Sequence, residues 1–168
     1  MRKLFSHGLF VFAGVVAAPA AVTHADTRDW DMRKHQTTDP RLHLLQKFFK
    51  HRVCPAAELA QDFLTEADTF KLDWRLLPSL SVIESGGGKS CKRNNMFGWR
   101  NGLAAFPSFR AGIHHVAFTL ARASYYRNKS LDKLLATYNP NADYGKNVKN
   151  VMRSIYPSAT VPLSFRPA

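Results

Sequence analysis

Three consecutive glycines, Gly86 to Gly88, divide this chain. Each gives up more backbone freedom on ordering than any other residue, so no helix or strand interior is expected to run through them. The stretch before them, "WRLLPSLSVIES", reads as a helix capped by Asp73 and stopped by the glycines, with Pro78 near its first turn, where a missing N–H costs least. Residues 86–107 then lack helical periodicity, and Asn101-Gly102 within them is a two-residue turn signal that allows a small β-hairpin. Elsewhere apolar residues recur at helical spacing behind recognisable starts. Asp39-Pro40 opens a helix to about Lys50, with Leu42, Leu45, Phe48 and Phe49 apolar. Cys54-Pro55 opens another to about Phe70, with Leu59, Phe63 and Ala67 in one stripe. Ser108 caps a helix to about Tyr126 whose inner face is Ile113, Val116, Leu120 and Ser124. Ser130 caps "LDKLLATY", which Asn139-Pro140 ends, and a last helix runs from about Tyr144 to Ile155. The expectation is a mainly α domain over residues 39–156, built from six helices.

The ends read differently. Arg2 and Lys3 precede the apolar run "LFVFAGVVAAPAAV", Leu9 to Val22, which is short for a membrane span, and Thr23-His24-Ala25 places small residues at the −3 and −1 positions before Asp26. This is the pattern of a secretory signal over residues 1–25, and it implies export to the periplasm or the medium without stable membrane insertion once the signal is cleaved. Residues 26–38 read as a flexible lead-in and 157–168 as a loose tail. Without Arg2 and Lys3, 22 cations face 12 acids, a net charge of +10. Such a surplus suits a polyanionic partner. For an exported protein, anionic cell-wall polymer or lipid is a better match than nucleic acid. In an oxidising compartment Cys54 and Cys91 are expected to pair, closing a loop of about 36 residues worth roughly 3–4 kcal/mol. No His/Cys spacing completes a metal-ligand set, the adjacent His114 and His115 are expected to point to different faces of their helix, and no cofactor is called for.

The chemistry concentrates near the glycines. Glu84 stands alone: residues 85–131 hold no acid. At the C-terminal end of an apolar helix, partial burial and the helix dipole both favour its neutral form, which suits a general acid for a glycosidic oxygen. Lys89, Lys92 and Arg93 nearby oppose this. Asn94, Asn95, Phe97, Trp99, Tyr125 and Tyr126 offer rings as an apolar platform for sugars and amides for their hydroxyl and acetamido groups, while Phe106 and Phe109 are expected in the core. Tyr138, Asn139 and Tyr144 flank a helix break and could point into a cleft.

In order, "IESGGGKS", "NNMFGW" and "TYNPNADYGKNV" resemble the motifs of the bacterial glucosaminidase domain (mannosyl-glycoprotein endo-β-N-acetylglucosaminidase-like), a member of the lysozyme-like superfamily alongside the lytic transglycosylases. The resemblance spans roughly residues 55–156. It implies a lysozyme-like α-helical domain in which Glu84 is the catalytic acid, Tyr144 faces it, and Ser85, Asn95 and Phe97 help form the sugar groove. Tyr138 and Asn139 are similar to the Tyr-Asn pair of the lytic transglycosylases. The implied substrate is the glycan strand of peptidoglycan. The chain departs from the pattern twice: Gly87 stands where many members carry tryptophan, and the second carboxylate that many hydrolytic members place after the first is absent from residues 85–131. Hydrolysis by two carboxylates needs a base or nucleophile across the sugar ring. Asp132 and Asp143 are the remaining candidates, Asp143 the better placed. Otherwise the substrate's acetamido group or a sugar hydroxyl must attack, the latter giving an anhydro product, or the protein is a wall-binding module that does not cut.

Overall fold

A computed structural model describes residues 39–156. The described chain is mainly α, with six α-helices and no strand among its residues: α1 (Pro40–His51), α2 (Ala60–Thr69), α3 (Leu76–Ser85), α4 (Phe109–Arg122), α5 (Leu131–Tyr138) and α6 (Tyr144–Ile155). The expected signal, lead-in and tail lie outside the described residues. No described helix is long and apolar enough to cross a membrane.

Local chemistry explains most boundaries. Asp39 accepts the Arg41 N–H at the start of α1, and Ser108 and Ser130 accept the N–H groups of Ala111 and Lys133 at the starts of α4 and α5. Pro55 instead begins a 3-10 turn, Pro55–Leu59, ahead of α2. Asp73 accepts from Arg75, and α3 begins one residue later, so Pro78 falls in its first turn as expected. Helix α4 ends at Arg122 because Ala123 turns to an extended conformation, which leaves Ser124 exposed rather than on an inner face.

Helix α3 is the central element, with Leu76, Leu77, Ser79, Leu80 and Ser81 all essentially inaccessible. It packs most extensively on α6, through a core that includes Val148, Met152 and Ile155. Arg75 donates to the Tyr156 carbonyl at 3.1 Å, joining the start of α3 to the end of α6. Buried Arg41 forks between Asp39 (2.6 Å) and Asp68 (2.7 Å), joining α1 to α2.

The glycines end α3 as expected. Gly86 is left-handed (φ 62°) and donates to Val82, while the Gly87 N–H reaches the Ser81 carbonyl at 3.0 Å. At Gly87 a Cβ would stand 2.9 Å from both Cβ and Sγ of Cys54, so no larger residue fits. The expected disulfide is not present: both cysteines are free thiols. Each sulfur faces a backbone carbonyl instead, Cys54 that of Arg52 at 3.6 Å and Cys91 that of Gly88 at 3.3 Å. The expected hairpin is reduced to its turn. Leu103 N–H bonds Arg100 O at 3.0 Å around Asn101-Gly102 and Ala104 N–H bonds Trp99 O at 3.2 Å, but the pairing goes no further and no strand forms; the Phe106 N–H goes to Arg93 O instead.

Candidate functional site

Glu84 occupies the last turn of α3, and Tyr144 the first position of α6. The α3–α6 packing brings them together across 60 residues: the Tyr144 hydroxyl donates to Glu84 Oε1 at 2.6 Å. The carboxyl is half-buried. Burial, the stronger influence, pushes its pKa above the ordinary glutamate value, and the Tyr144 hydrogen bond opposes this without cancelling it. Among the described residues no cation forms an ion pair with it. The other oxygen, Oε2, lies against Gly98, where a Cβ would be 2.6 Å away. Gly98 has φ 60°, so both conformation and space require glycine there.

The tyrosine pair extends this arrangement. Tyr138 stacks on Tyr144 with ring centroids 5.8 Å apart and planes 11° from parallel. Its hydroxyl donates to the Phe97 carbonyl at 2.7 Å, fixing the end of α5 against the segment that carries Gly98. Burial and then the nearby Glu84 hold both tyrosine hydroxyls protonated, with pKa values well above the ordinary phenol range. Trp99 packs against Tyr138 and meets the His115 ring edge-on, each with ring centroids 5.8 Å apart.

A cavity of about 350 Å³ opens beside this cluster, lined by residues 97–101 with Tyr125, Tyr126 and Tyr138. Glu84 borders this cavity through Gly98 rather than lining it. The size suits a small ligand or a few sugar units. Its rings supply flat apolar faces, and Arg100 and Asn101 supply polar groups.

Several expected groove residues have other tasks. Ser85 is buried: its hydroxyl donates to the Met96 carbonyl at 2.8 Å and accepts the Gly88 N–H at 3.0 Å, so it joins the glycine turn to the 95–97 segment. Asn95 is buried too, and its amide clasps Trp99 by both backbone groups, accepting from N–H at 2.9 Å and donating to O at 3.0 Å. The Phe97 ring is 1% exposed and meets Phe63 edge-on in the core, so only its carbonyl serves the site. Asn139 accepts from the Asn141 N–H in its own turn. Asp132 pairs with Lys149 at 2.7 Å, and Asp143 is an exposed residue at the start of α6; neither lines the cavity.

Phe109 packs against the core, but Phe106 does not join it. It lines a second surface cavity with His114, His115 and Phe118, so the adjacent histidines share a cavity. Their contacts differ, His114 Nδ1 lying 3.0 Å from Glu66 and the His115 ring beside Trp99 and Phe106. Sequence reasoning missed Gly98 and Arg100. The signals for Gly98 were its place in the NNMFGW motif and between two large aromatics, and for Arg100 its position beside the Asn-Gly turn. No protein-family model, curated protein or solved structure gives a significant match to this chain.

Proposed function

We propose that this protein is an exported enzyme that cleaves the β-1,4 glycan backbone of peptidoglycan, with Glu84 as proton donor. The reading rests on one observation above all: a lone carboxyl, with its pKa raised by burial, held by Tyr144 and Gly98 at the edge of an aromatic-lined cavity. Tyr144 occupies Oε1, leaving Oε2 as the oxygen that carries and releases the proton. Trp99 and Tyr138 offer stacking faces for sugar rings. The motif resemblance to the glucosaminidase domain supports the same substrate class and a lysozyme-like arrangement.

Among the described residues no second acid stands by to act as nucleophile or base, since Asp132 and Asp143 lie off the cavity. The route that fits is one in which Glu84 donates its proton to the leaving oxygen while the substrate attacks itself, through its acetamido oxygen or a sugar hydroxyl. Glu84, now ionised, then accepts the proton that the attacking group or an incoming water loses. The same lack of a second carboxylate favours one other reading, a wall-binding module without activity.

A zymogram on purified cell wall separates the two. The parent should clear the wall, and Glu84→Gln should clear no more than buffer. Equal clearing by both would end the reading of Glu84 as acid. Salt-sensitive wall binding without released fragments would select the binding module. Mass spectrometry of the products then distinguishes a reducing-end sugar from an anhydro one.

A further inference from the structure

Arg100 is the cation of the cavity, and no catalytic step above uses it. It stands two residues beyond Gly98, lining the same space as Asn101, Tyr125 and Tyr126. Its place is rigidly set. Asn95 clasps the preceding Trp99 by both backbone groups, the Gly102 N–H returns to Gly98 O at 2.8 Å, and the Arg100 carbonyl accepts from Leu103. Arg100 and Asn101 both hold left-handed backbone, φ 54° each, a conformation that non-glycine residues adopt at a cost. The guanidinium is exposed, and among the described residues no carboxylate pairs with it. Nor does its own stretch of chain offer one, since residues 85–131 contain no acid. The other polar side chains lining this cavity are phenols, an indole and an amide, which bind sugars without regard to charge.

We infer that Arg100 is a specificity residue that reads a carboxylate carried by the glycan, so that the cavity selects acid-bearing sugars over neutral ones. A planar guanidinium on a fixed turn can take a carboxylate with two parallel N–H···O bonds, while the neighbouring rings hold the sugar that bears it. In a wall glycan the carboxylate has two alternative sources: the lactyl group of a sugar stripped of its peptide, or, where that carboxyl is tied up in the amide bond to a peptide, the peptide's own carboxylates. The inference rests on the proposed glycan substrate but not on cleavage.

The test is binding in a Glu84→Gln background, where turnover does not interfere. Three ligands are compared by calorimetry: neutral chitin oligosaccharide, wall glycan trimmed of its peptides but keeping its lactyl groups, and wall glycan with peptides intact. Adding Arg100→Ala should weaken an acid-bearing strand about tenfold or more, as expected for losing a charge-assisted hydrogen-bonded pair, and leave chitin binding unchanged. Arg100→Lys should recover only part of the loss, because it keeps the charge without the fork. A loss on trimmed glycan assigns the lactyl carboxylate, and a loss confined to peptide-bearing strands assigns the peptide. Equal weakening on all three ligands, or on none, overturns the inference, as does preferential binding of chitin by the Arg100-containing protein. If the parent clears no wall yet these ligands are still distinguished, cleavage falls and the carboxylate site stands.

Discussion

At the scale of single residues the site is a carboxyl gripped from two sides. On one side Tyr144 donates to Oε1, and that bond favours the ionised acid. Removing it should let burial act unopposed and raise the Glu84 pKa further. A general acid is active while protonated, so the alkaline limb of the pH–rate profile reports this pKa. Tyr144→Phe is therefore expected to move that limb to higher pH, even as looser positioning lowers the maximum rate; a limb that stays put or moves down would show that the bond does not govern the acid. On the other side is Gly98. An alanine there must adopt left-handed backbone, at about 1–2 kcal/mol, and its methyl must displace the carboxyl. Gly102 is the control, because it is also left-handed (φ 79°) but has nothing within 4 Å of a Cβ. Both alanine variants should lose stability in denaturant titrations through the shared left-handed backbone, Gly98→Ala the more because its methyl also displaces the carboxyl. Only Gly98→Ala should lose wall clearing, and retained activity in that variant would detach Gly98 from the acid.

At the scale of elements, what matters is how the turn after α3 is joined to the segment beneath the cavity, and Ser85 is the joint. Its hydroxyl serves both the Gly88 N–H and the Met96 carbonyl in a buried site. Ser85→Ala leaves both groups without that partner, so it should cost about 1–3 kcal/mol. The midpoint of denaturant unfolding should fall with an unchanged slope; an unchanged midpoint would remove Ser85 from this role. Helix starts at Asp39, Ser108 and Ser130 were legible because a cap is a local bargain between a side chain and the next few N–H groups. The 3-10 turn at Pro55 was not, since the Ala56 N–H is taken by Gly87 O from 31 residues away. The Glu84–Tyr144 pairing was legible only through the motif resemblance, because nothing local in either segment announces α3–α6 packing. For Ser85 the motif resemblance, and for Asn95 and Asn139 the residue type as well, suggested sugar contact. The turns between helices decided otherwise, directing their polar atoms to backbone. Only the folded path of residues 95–102 reveals that Asn95 steadies Trp99 and that Gly98 makes room for an acid.

At the scale of the whole molecule, the raised pKa of Glu84 is also a statement about stability. The folded protein holds the Glu84 proton more tightly than the unfolded chain does, so between the ordinary glutamate pKa and the raised folded value the native state binds more protons. Unfolding free energy must therefore fall as pH rises through that window. Above it, the folded protein carries a half-buried carboxylate whose hydration has been lost and which no ion pair among the described residues repays. Glutamine has nearly the same shape, still offers an oxygen to the Tyr144 hydroxyl, and has no charge to desolvate. Glu84→Gln should thus unfold at a higher temperature than the parent at neutral pH. The two melting temperatures should converge as the pH falls below the ordinary glutamate pKa, where the parent's carboxyl is protonated in both states. An ordinary surface glutamate would give no such gain, and one held in an ion pair would give a loss. Melting curves of parent and variant across this pH range therefore test whether the fold keeps a destabilising acid at its cavity edge. That is the pattern expected where stability is given up for chemistry. A variant no more stable than the parent at neutral pH would show that burial does not strain this carboxyl, and would remove the physical basis for its role as acid.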